Sequence, residues 1–349
     1  MLDDIPAEIR KALKARQEAR KKMTGWAGEK VAKACTDLEF VAHLYKHNGS
    51  AYQMARALGL KHQNVAARRA TIESDLGITL PRGRPEIWKA QEHRKVINLS
   101  IENGTILVGS DLHCWPDIYG VAMAAFVDFN RRMKPDFVIL NGDAHDGAMT
   151  SRHDRLGWDK RPMPAEEIAA LSDYLDTIRQ ANPNAKYLRT RGNHDPRIET
   201  YLASKAPLAE GLAGTTLADH LPGWEACISI WVNGRHLQIK HRGRHNGMHA
   251  IWNEVRRLSC HCVFGHLHSQ KTIPYRNAAG QWYGIDLGMM APMDHPAFDY
   301  AEAEITDWRS GFYVLTFRNG ELMPPQEATV IDEDAGELYF AGQVLKYEL

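Results

Sequence analysis

Five short motifs follow one another along the chain and carry side chains suited to divalent cations. They are Asp111-Leu112-His113, Gly142-Asp143-Ala144-His145-Asp146, Gly192-Asn193-His194-Asp195, a lone His241, and Gly265-His266-Leu267-His268. Carboxylate, imidazole and amide oxygen are the donors that hard or borderline divalent ions take, and the set is large enough for two ions. Two such ions, about 3.5 to 4 Å apart, bind one phosphoryl group between them, so the chemistry on offer is hydrolysis of a phosphate ester. The set contains no thiolate, which argues against a structural zinc site.

The motifs need a scaffold that brings distant segments together, and the hydrophobic pattern supplies one. Thr105-Ile106-Leu107-Val108 ends just before Asp111, Asp136-Phe137-Val138-Ile139-Leu140 just before Gly142, and His236-Leu237-Gln238-Ile239-Lys240 runs into His241. These runs read as strands, and loops at strand ends are where open α/β sheets build their sites. Helices are expected over 117–133 and 165–181 and strands over 136–140 and 186–190, which is a layered α/β order. Asn103-Gly104, between apolar runs at 96–99 and 105–108, is a hairpin signal. Beyond residue 224 shorter strands are expected at 226–232, 235–241, 261–264, 282–287 and 311–317, with one helix around 247–258, and a second sheet packs on the first. The alternation in Cys260-His261-Cys262-Val263-Phe264 reads as a buried strand rather than a ligand pair, and Ile331-Asp332-Glu333-Asp334 reads as an exposed turn.

The N-terminal part is different in kind. Residues 1–100 hold 19 Lys and Arg against 11 Asp and Glu, although the whole chain of 349 residues has no net charge. Helices are expected over 6–22, 37–47, from Ser50 to Leu58, and from His62 onward, with Gly59 between the last two. This helix-glycine-helix segment is similar to a helix-turn-helix, in which Ala55 allows close helix contact and Gln63, Asn64, Ala67 and Arg68 face a DNA groove. The alternative is a small helical bundle that assembles subunits into a homo-oligomer. Leu80-Pro81-Arg82-Gly83-Arg84-Pro85 breaks the helical pattern, so the expected domains are a helical one at 1–85, a linker over 80–95, and a catalytic one at 96–349. Five scattered cysteines fit reduced thiols. With no apolar run of bilayer length and no secretory pattern in Met1-Leu2-Asp3-Asp4-Ile5-Pro6, the expectation is a cytoplasmic chain without a membrane partner.

The motif order resembles the calcineurin-like metallophosphoesterase superfamily over roughly residues 105–290. The resemblance implies an α/β domain of two sheets in four layers, α/β/β/α, behind the small all-α domain. It implies that Asp111, His113 and His268 bind one ion, that Asn193, His241 and His266 bind the other, and that Asp143 bridges both. It further implies attack by a metal-bridging hydroxide, with His194 as general acid and Asp146 holding its imidazole. Mn is the first expectation for the two divalent ions, with Zn, Fe, Co and Mg as alternatives. His245, four residues after His241, is a competing ligand or a substrate contact.

Protein phosphatases of the superfamily resemble Gly-Asp-x-x-Asp-Arg-Gly and Gly-Asn-His-Glu, whereas this chain has Gly147 after Asp146 and Asp195 after His194. An equivalent phosphate clamp is expected from Arg152, Arg155 and Arg161 in the loop that follows, or from Arg242 and Arg244. Together with the N-terminal segment these residues point to a nuclease or DNA phosphodiesterase resembling the superfamily's repair exonucleases. Two other readings stay open: a phosphomonoesterase or small cyclic or nucleotide phosphodiesterase, and a DNA-binding regulator whose phosphoesterase-like domain senses a ligand.

Overall fold

The computed structural model describes residues 5–22, 35–47, 49–81, 94–152, 157–301 and 306–348. The chain divides into two compact units, residues 1–91 and 92–349. Among the described residues no helix is long and apolar enough to cross a membrane.

The first unit contains α1 (Ala7–Lys22), α2 (Asp37–Lys46), α3 (Ala51–Leu58) and α4 (His62–Leu76). They enclose a core that includes Leu13, Phe40, Leu44, Met54, Val65 and Ile72. Thr36 starts α2 with a reciprocal capping box to Glu39, which satisfies two otherwise orphaned amide donors. Gly59 takes a left-handed φ of 66° in the turn before α4, and the Leu60 N–H closes α3 on the Ala55 carbonyl at 2.8 Å. A side chain at Gly59 would be strained there.

The second unit begins with β1 (Arg94–Leu99), β2 (Gly104–Gly109), α5 (Val121–Met133), β3 (Phe137–Asn141), α6 (Pro164–Ala181) and β4 (Lys186–Thr190). It continues with α7 (Arg197–Lys205), α8 (Leu217–His220), β5 (Glu225–Val232), β6 (Leu237–Ile239), α9 (Ala250–Leu258), β7 (His261–Phe264), β8 (Lys271–Asn277) and β9 (Gly280–Asp286). It closes with β10 (Gly311–Arg318), β11 (Glu321–Leu322), β12 (Gln326–Asp332), β13 (Glu337–Phe340) and β14 (Gln343–Lys346). The strands pair in the order β14-β13-β12-β10-β2-β3-β4-β5-β6-β7-β9-β8, with β1 beside β5 and β11 beside β10.

This hydrogen-bonded ribbon folds on itself into two layers, joined where Leu188–Thr190 of β4 pair with Glu225–Cys227 of β5. The period-two alternation of each strand sorts its side chains between layers. Leu107 of β2, Val138 and Leu140 of β3 and Phe312 of β10 pack outward under α5 and α6. Their neighbours Ile106, Val108, Ile139 and Tyr313 turn inward to meet Ile230, Ile239, Val263 and Ile285 of the second layer. Beyond that layer, Ile251 and Val255 of α9 cover Cys262 and Phe264. The α/β/β/α order is therefore present. A one-residue slip in any inner strand would exchange its two faces.

Asn103-Gly104 does not make a hairpin. β1 runs parallel to β5, whereas β2 pairs with β3 and β10, so the two strands lie in different layers. Neither residue takes the positive φ that a type I′ turn requires. Instead the Asn103 carboxamide oxygen accepts the Asn319 N–H at 3.0 Å. The acidic segment also acquires a partner, since Glu333 accepts the first N–H of α5, from Val121, at 2.6 Å. A carboxylate at that end complements the helix dipole.

Candidate active site

Each of the five motifs lies on a loop that leaves the C-terminal end of a strand: β2, β3, β4, β6 and β7 respectively. Asn141, the last residue of β3 and fully buried, knots those ends together. Its backbone carbonyl accepts from Ser110 Oγ at 2.8 Å and from His241 Nδ1 at 2.7 Å. Its side chain accepts from Thr190 Oγ1 at 2.8 Å and donates to the Lys240 carbonyl at 3.2 Å. Sequence reasoning missed it, because a lone asparagine before Gly-Asp carries no signal of its own. Asp195 acts similarly, accepting from the N–H groups of Gly192 at 2.7 Å and Asp143 at 3.2 Å.

These ties assemble two donor clusters, Asp111 with His113 and His268, and Asp143 with His241 and His266. His268 Nε2 lies 3.2 Å and His113 Nε2 3.8 Å from Asp111 Oδ1, while His241 Nε2 lies 3.1 Å from Asp143 Oδ2. Asn193 is exposed beside the second cluster, between Gly192 and His194. Asp111, His113, Asp143, His266 and His268 all take left-handed φ, from 42° to 74°, a conformation that costs a non-glycine residue and concentrates at functional sites. Gly142, with φ of 83°, and Gly192 keep the loops close: a Cβ would lie 2.5 Å from His241 at the first and 2.0 Å from Asp143 at the second.

The residues fit a pair of cations. Asp111 Oδ1, His113 Nε2 and His241 Nε2 are buried without a hydrogen-bond partner, and such atoms are costly unless something satisfies them. Each imidazole is also oriented from behind, His241 by the Asn141 carbonyl and His113 by Asp146 Oδ1 at 3.0 Å, as metal-binding histidines usually are. Burial opposes a charge on His113, yet the Asp111, Asp146 and Asp143 carboxylates push its pKa up to about 10. His241, also buried, is pushed up to about 10 by Asp143 and Asp111. A proton on either imidazole would compete with a cation for the same carboxylates, so cation uptake would have to displace it.

Asp146 serves two rings at once. Its Oδ1 lies 3.0 Å from His113 Nδ1 and 2.9 Å from His194 Nδ1; burial would raise its pKa, but these two hydrogen bonds hold it well below the carboxylate range. His194 in turn points Nε2 toward Asp143 Oδ2, 3.9 Å away. His145 does not join the cluster: it is fully buried against Glu167 at 2.9 Å. Glu167 also accepts the Gly147 and Ala148 N–H groups at 3.0 and 3.1 Å, so it pins the loop behind Asp146.

Behind His268, Asp286 is buried with Ser269 Oγ at 3.0 Å. Burial and the nearby Asp111 charge raise its pKa to about 8, against the Gly288 and Ser269 hydrogen bonds. A raised carboxyl pKa means that the folded state binds the proton more tightly than the unfolded state, so the contribution is complete below pH 3.8 and is lost as pH rises through about 8. In metal-free protein Asp286→Asn should therefore melt increasingly higher than wild type as pH rises from 4 to 8, by a margin on the order of a few kcal/mol. A melting difference that stays flat across this range would refute a neutral Asp286.

A cavity of about 500 Å³ opens over the clusters, with Asp143, Asp146, His194, His266 and His268 in its lining. Among the described residues the arginines that line it are Arg161, one of those expected to clamp phosphate, and Arg197, which was not. Arg152, Arg242 and Arg244 are exposed elsewhere, and Arg155 lies outside the described residues. His245 is drawn off by Glu254 of α9, whose Oε1 lies 2.8 Å from its Nδ1, which leaves His241 as the histidine in the cluster. Arg197 went unnoticed because one arginine two residues past the Asn193-His194-Asp195 run has no distinguishing pattern.

In the first unit Gln63 and Asn64 are exposed on the first turn of α4. Arg68 corrects the expectation of a DNA-facing residue: its guanidinium bonds Asp37 Oδ1 and the Cys35 carbonyl, both at 2.9 Å, and lies 4.8 Å over the Phe40 ring. An arginine held by a nearly buried carboxylate and an aromatic face is part of the packing between α4 and α2. Cys260, just before β7, and Cys262, within it, are buried, and burial raises the pKa of both thiols.

Residues 104–283 match the family model of the calcineurin-like phosphoesterases. No curated protein matches the chain. Among solved structures, Vps29 from Chaetomium thermophilum is similar at 13% identity and a TM-score of 0.35, covering 69% of this chain and 96% of its own. The phosphoesterase Yfce from E. coli is similar at 12% identity and a TM-score of 0.31, covering 63% and 97%. A dimetal phosphatase from Danio rerio is similar at 10% identity and a TM-score of 0.30, covering 64% and 94%.

Proposed function

The chain belongs to the calcineurin-like phosphoesterase family and is a phosphoester hydrolase, and from that premise we propose that it cleaves nucleic-acid phosphodiesters, DNA in the first place, with two divalent ions, Mn first among them. The observation that carries the reading is one cavity lined by members of both donor clusters (His113 and His268 of one, Asp143 and His266 of the other), with the Asp146-bound His194 beside them and arginines and aromatic rings in its wall.

Asp111, His113 and His268 would hold one ion, and His241, His266 and Asn193 the other, with Asp143 between them. When bound, the ions supply Lewis-acid polarisation of the phosphoryl oxygens. The remaining work belongs to the chain. His194, fixed through Nδ1 by Asp146, directs Nε2 at the space above Asp143, where a proton can pass to the leaving oxygen. Trp115 and Tyr300 offer rings, and Arg161 and Arg197 cations, to a nucleotide in the cavity. Gln63 and Asn64, exposed at the start of α4, have the amide groups that read adenine edges in a major groove. The volume of about 500 Å³ also suits a free mononucleotide ester, which keeps a small-substrate reading in play.

The test compares a chromogenic diester, a chromogenic monoester, and single- and double-stranded DNA across Mn, Zn, Fe, Co and Mg, with wild type and a Gln63→Ala, Asn64→Ala double variant. DNA cleavage should fall on the order of tenfold in the double variant, while diester turnover is unchanged. Intact DNA with every metal, beside brisk turnover of a small ester, would transfer the assignment to the second reading.

A further inference from the structure

Arg197 begins α7 directly after the His194 loop, and its side chain lines the cavity. One terminal nitrogen donates to the Asp146 carbonyl at 2.7 Å, and the other lies 3.0 Å from His194 Nε2. A guanidinium has no lone pair to offer, so it is the donor in that contact and Nε2 is the acceptor. His194 Nε2 is also the atom that must face the leaving oxygen. The guanidinium and a leaving oxygen cannot both hold it, so substrate entry has to displace one hydrogen bond from Arg197. The acceptors that a phosphate ester brings to the same spot are its non-bridging oxygens, whose charge and geometry match a guanidinium fork. Arg161, the other arginine of the wall, is turned onto Asp159 at 2.7 Å and the Ala148 carbonyl at 3.2 Å.

We propose that Arg197 is the residue that grips the scissile phosphoryl group, exchanging its contact with His194 Nε2 for one with a non-bridging oxygen while the Asp146 carbonyl keeps it anchored. The inference rests on the phosphoester-hydrolase reading of the same site. It assigns to this chain a phosphate clamp that comes from the start of α7 rather than from the loop after Asp146. Because the same side chain touches both the phosphate and the nitrogen facing the leaving group, binding of the phosphoryl group frees the Nε2 lone pair, which takes up a proton from water, with Nδ1–H kept on Asp146, before His194 gives that proton to the leaving oxygen.

The test uses the full chain loaded with Mn, in wild type and in Arg197→Ala and Arg197→Lys variants. Calorimetry with inorganic phosphate reads the contact without turnover, and hydrolysis of the chromogenic diester is followed with and without added guanidinium ion. Arg197→Ala should weaken phosphate binding at least about tenfold and lower kcat/KM on the order of a hundredfold. Arg197→Lys should fall between, since a point charge replaces the fork, and guanidinium should restore part of the alanine variant's rate. Unchanged phosphate affinity in the alanine variant would overturn the clamp, as would a rate loss that guanidinium cannot rescue, because either result makes Arg197 a brace for Asp146. If wild type hydrolyses no ester, the hydrolase reading fails by itself, and the phosphate titration still decides the contact.

Discussion

Replacing Asp143 by alanine should abolish turnover, with kcat/KM falling on the order of 10⁴-fold or more, and should reduce the bound metal below two ions per chain. Asp143 ties the second cluster to the His194 loop: its Oδ2 lies 3.1 Å from His241 Nε2 and 3.9 Å from His194 Nε2, and its Oδ1 accepts the His194 N–H at 2.7 Å. Removing it would therefore delete the carboxylate proposed to serve both ions and would loosen the loop that carries Asn193 and His194. Losing Lewis-acid stabilisation worth several kcal/mol converts to three or more orders of magnitude in rate, roughly. Metal analysis after gel filtration, run beside the assay, separates lost ions from a collapsed fold. The rise in Tm that saturating Mn gives wild type should shrink in parallel, because stabilisation by a ligand follows its affinity for the folded state. An alanine variant that kept two ions and wild-type rates would end the assignment of Asp143 as the bridge.

The second large effect belongs to His194. His194→Ala should retain its metal and lose about 10³-fold in kcat on esters with poor leaving groups. The loss should be much smaller on a nitrophenyl ester, whose leaving oxygen departs without a proton. This dependence on leaving group is the signature of a general acid, and no loss of packing or charge alone would produce it. Asp146→Asn should reproduce part of the defect and also disturb the first cluster, because Asp146 orients His113 as well as His194. An equal loss across leaving groups would assign His194 to positioning instead.

Much of this site was legible in the chain because its information is local. Donor types, their spacing within each motif, and an apolar run before each one are properties of short segments, and they placed His194, Asp146 and all but one of the proposed ligands where the folded chain gathers them. Asn193 is the exception in emphasis, exposed beside its cluster rather than enclosed in it. The strand at 261–264 was equally plain, since a buried strand writes its burial into consecutive apolar residues such as Cys262, Val263 and Phe264. By contrast β8 and β12–β14 lie at the sheet margins, where exposed faces dilute the alternation, and they went unread.

What the sequence by itself determined is the reaction: the ordered donors admit two hard or borderline ions and a phosphate ester between them, whatever scaffold holds them. The tertiary structure decided which side chains stand around that chemistry. It joined β2, β3, β4 and β6 through Asn141, separated the two strands flanking Asn103-Gly104, drew His245 to Glu254 and Arg68 to Asp37, and set Arg197 against His194. The physical reason is range. Ligand chemistry is a property of each residue, whereas orientation and exclusion depend on hydrogen bonds between residues as far apart as Asn141 and His241, and no spacing along the chain records those.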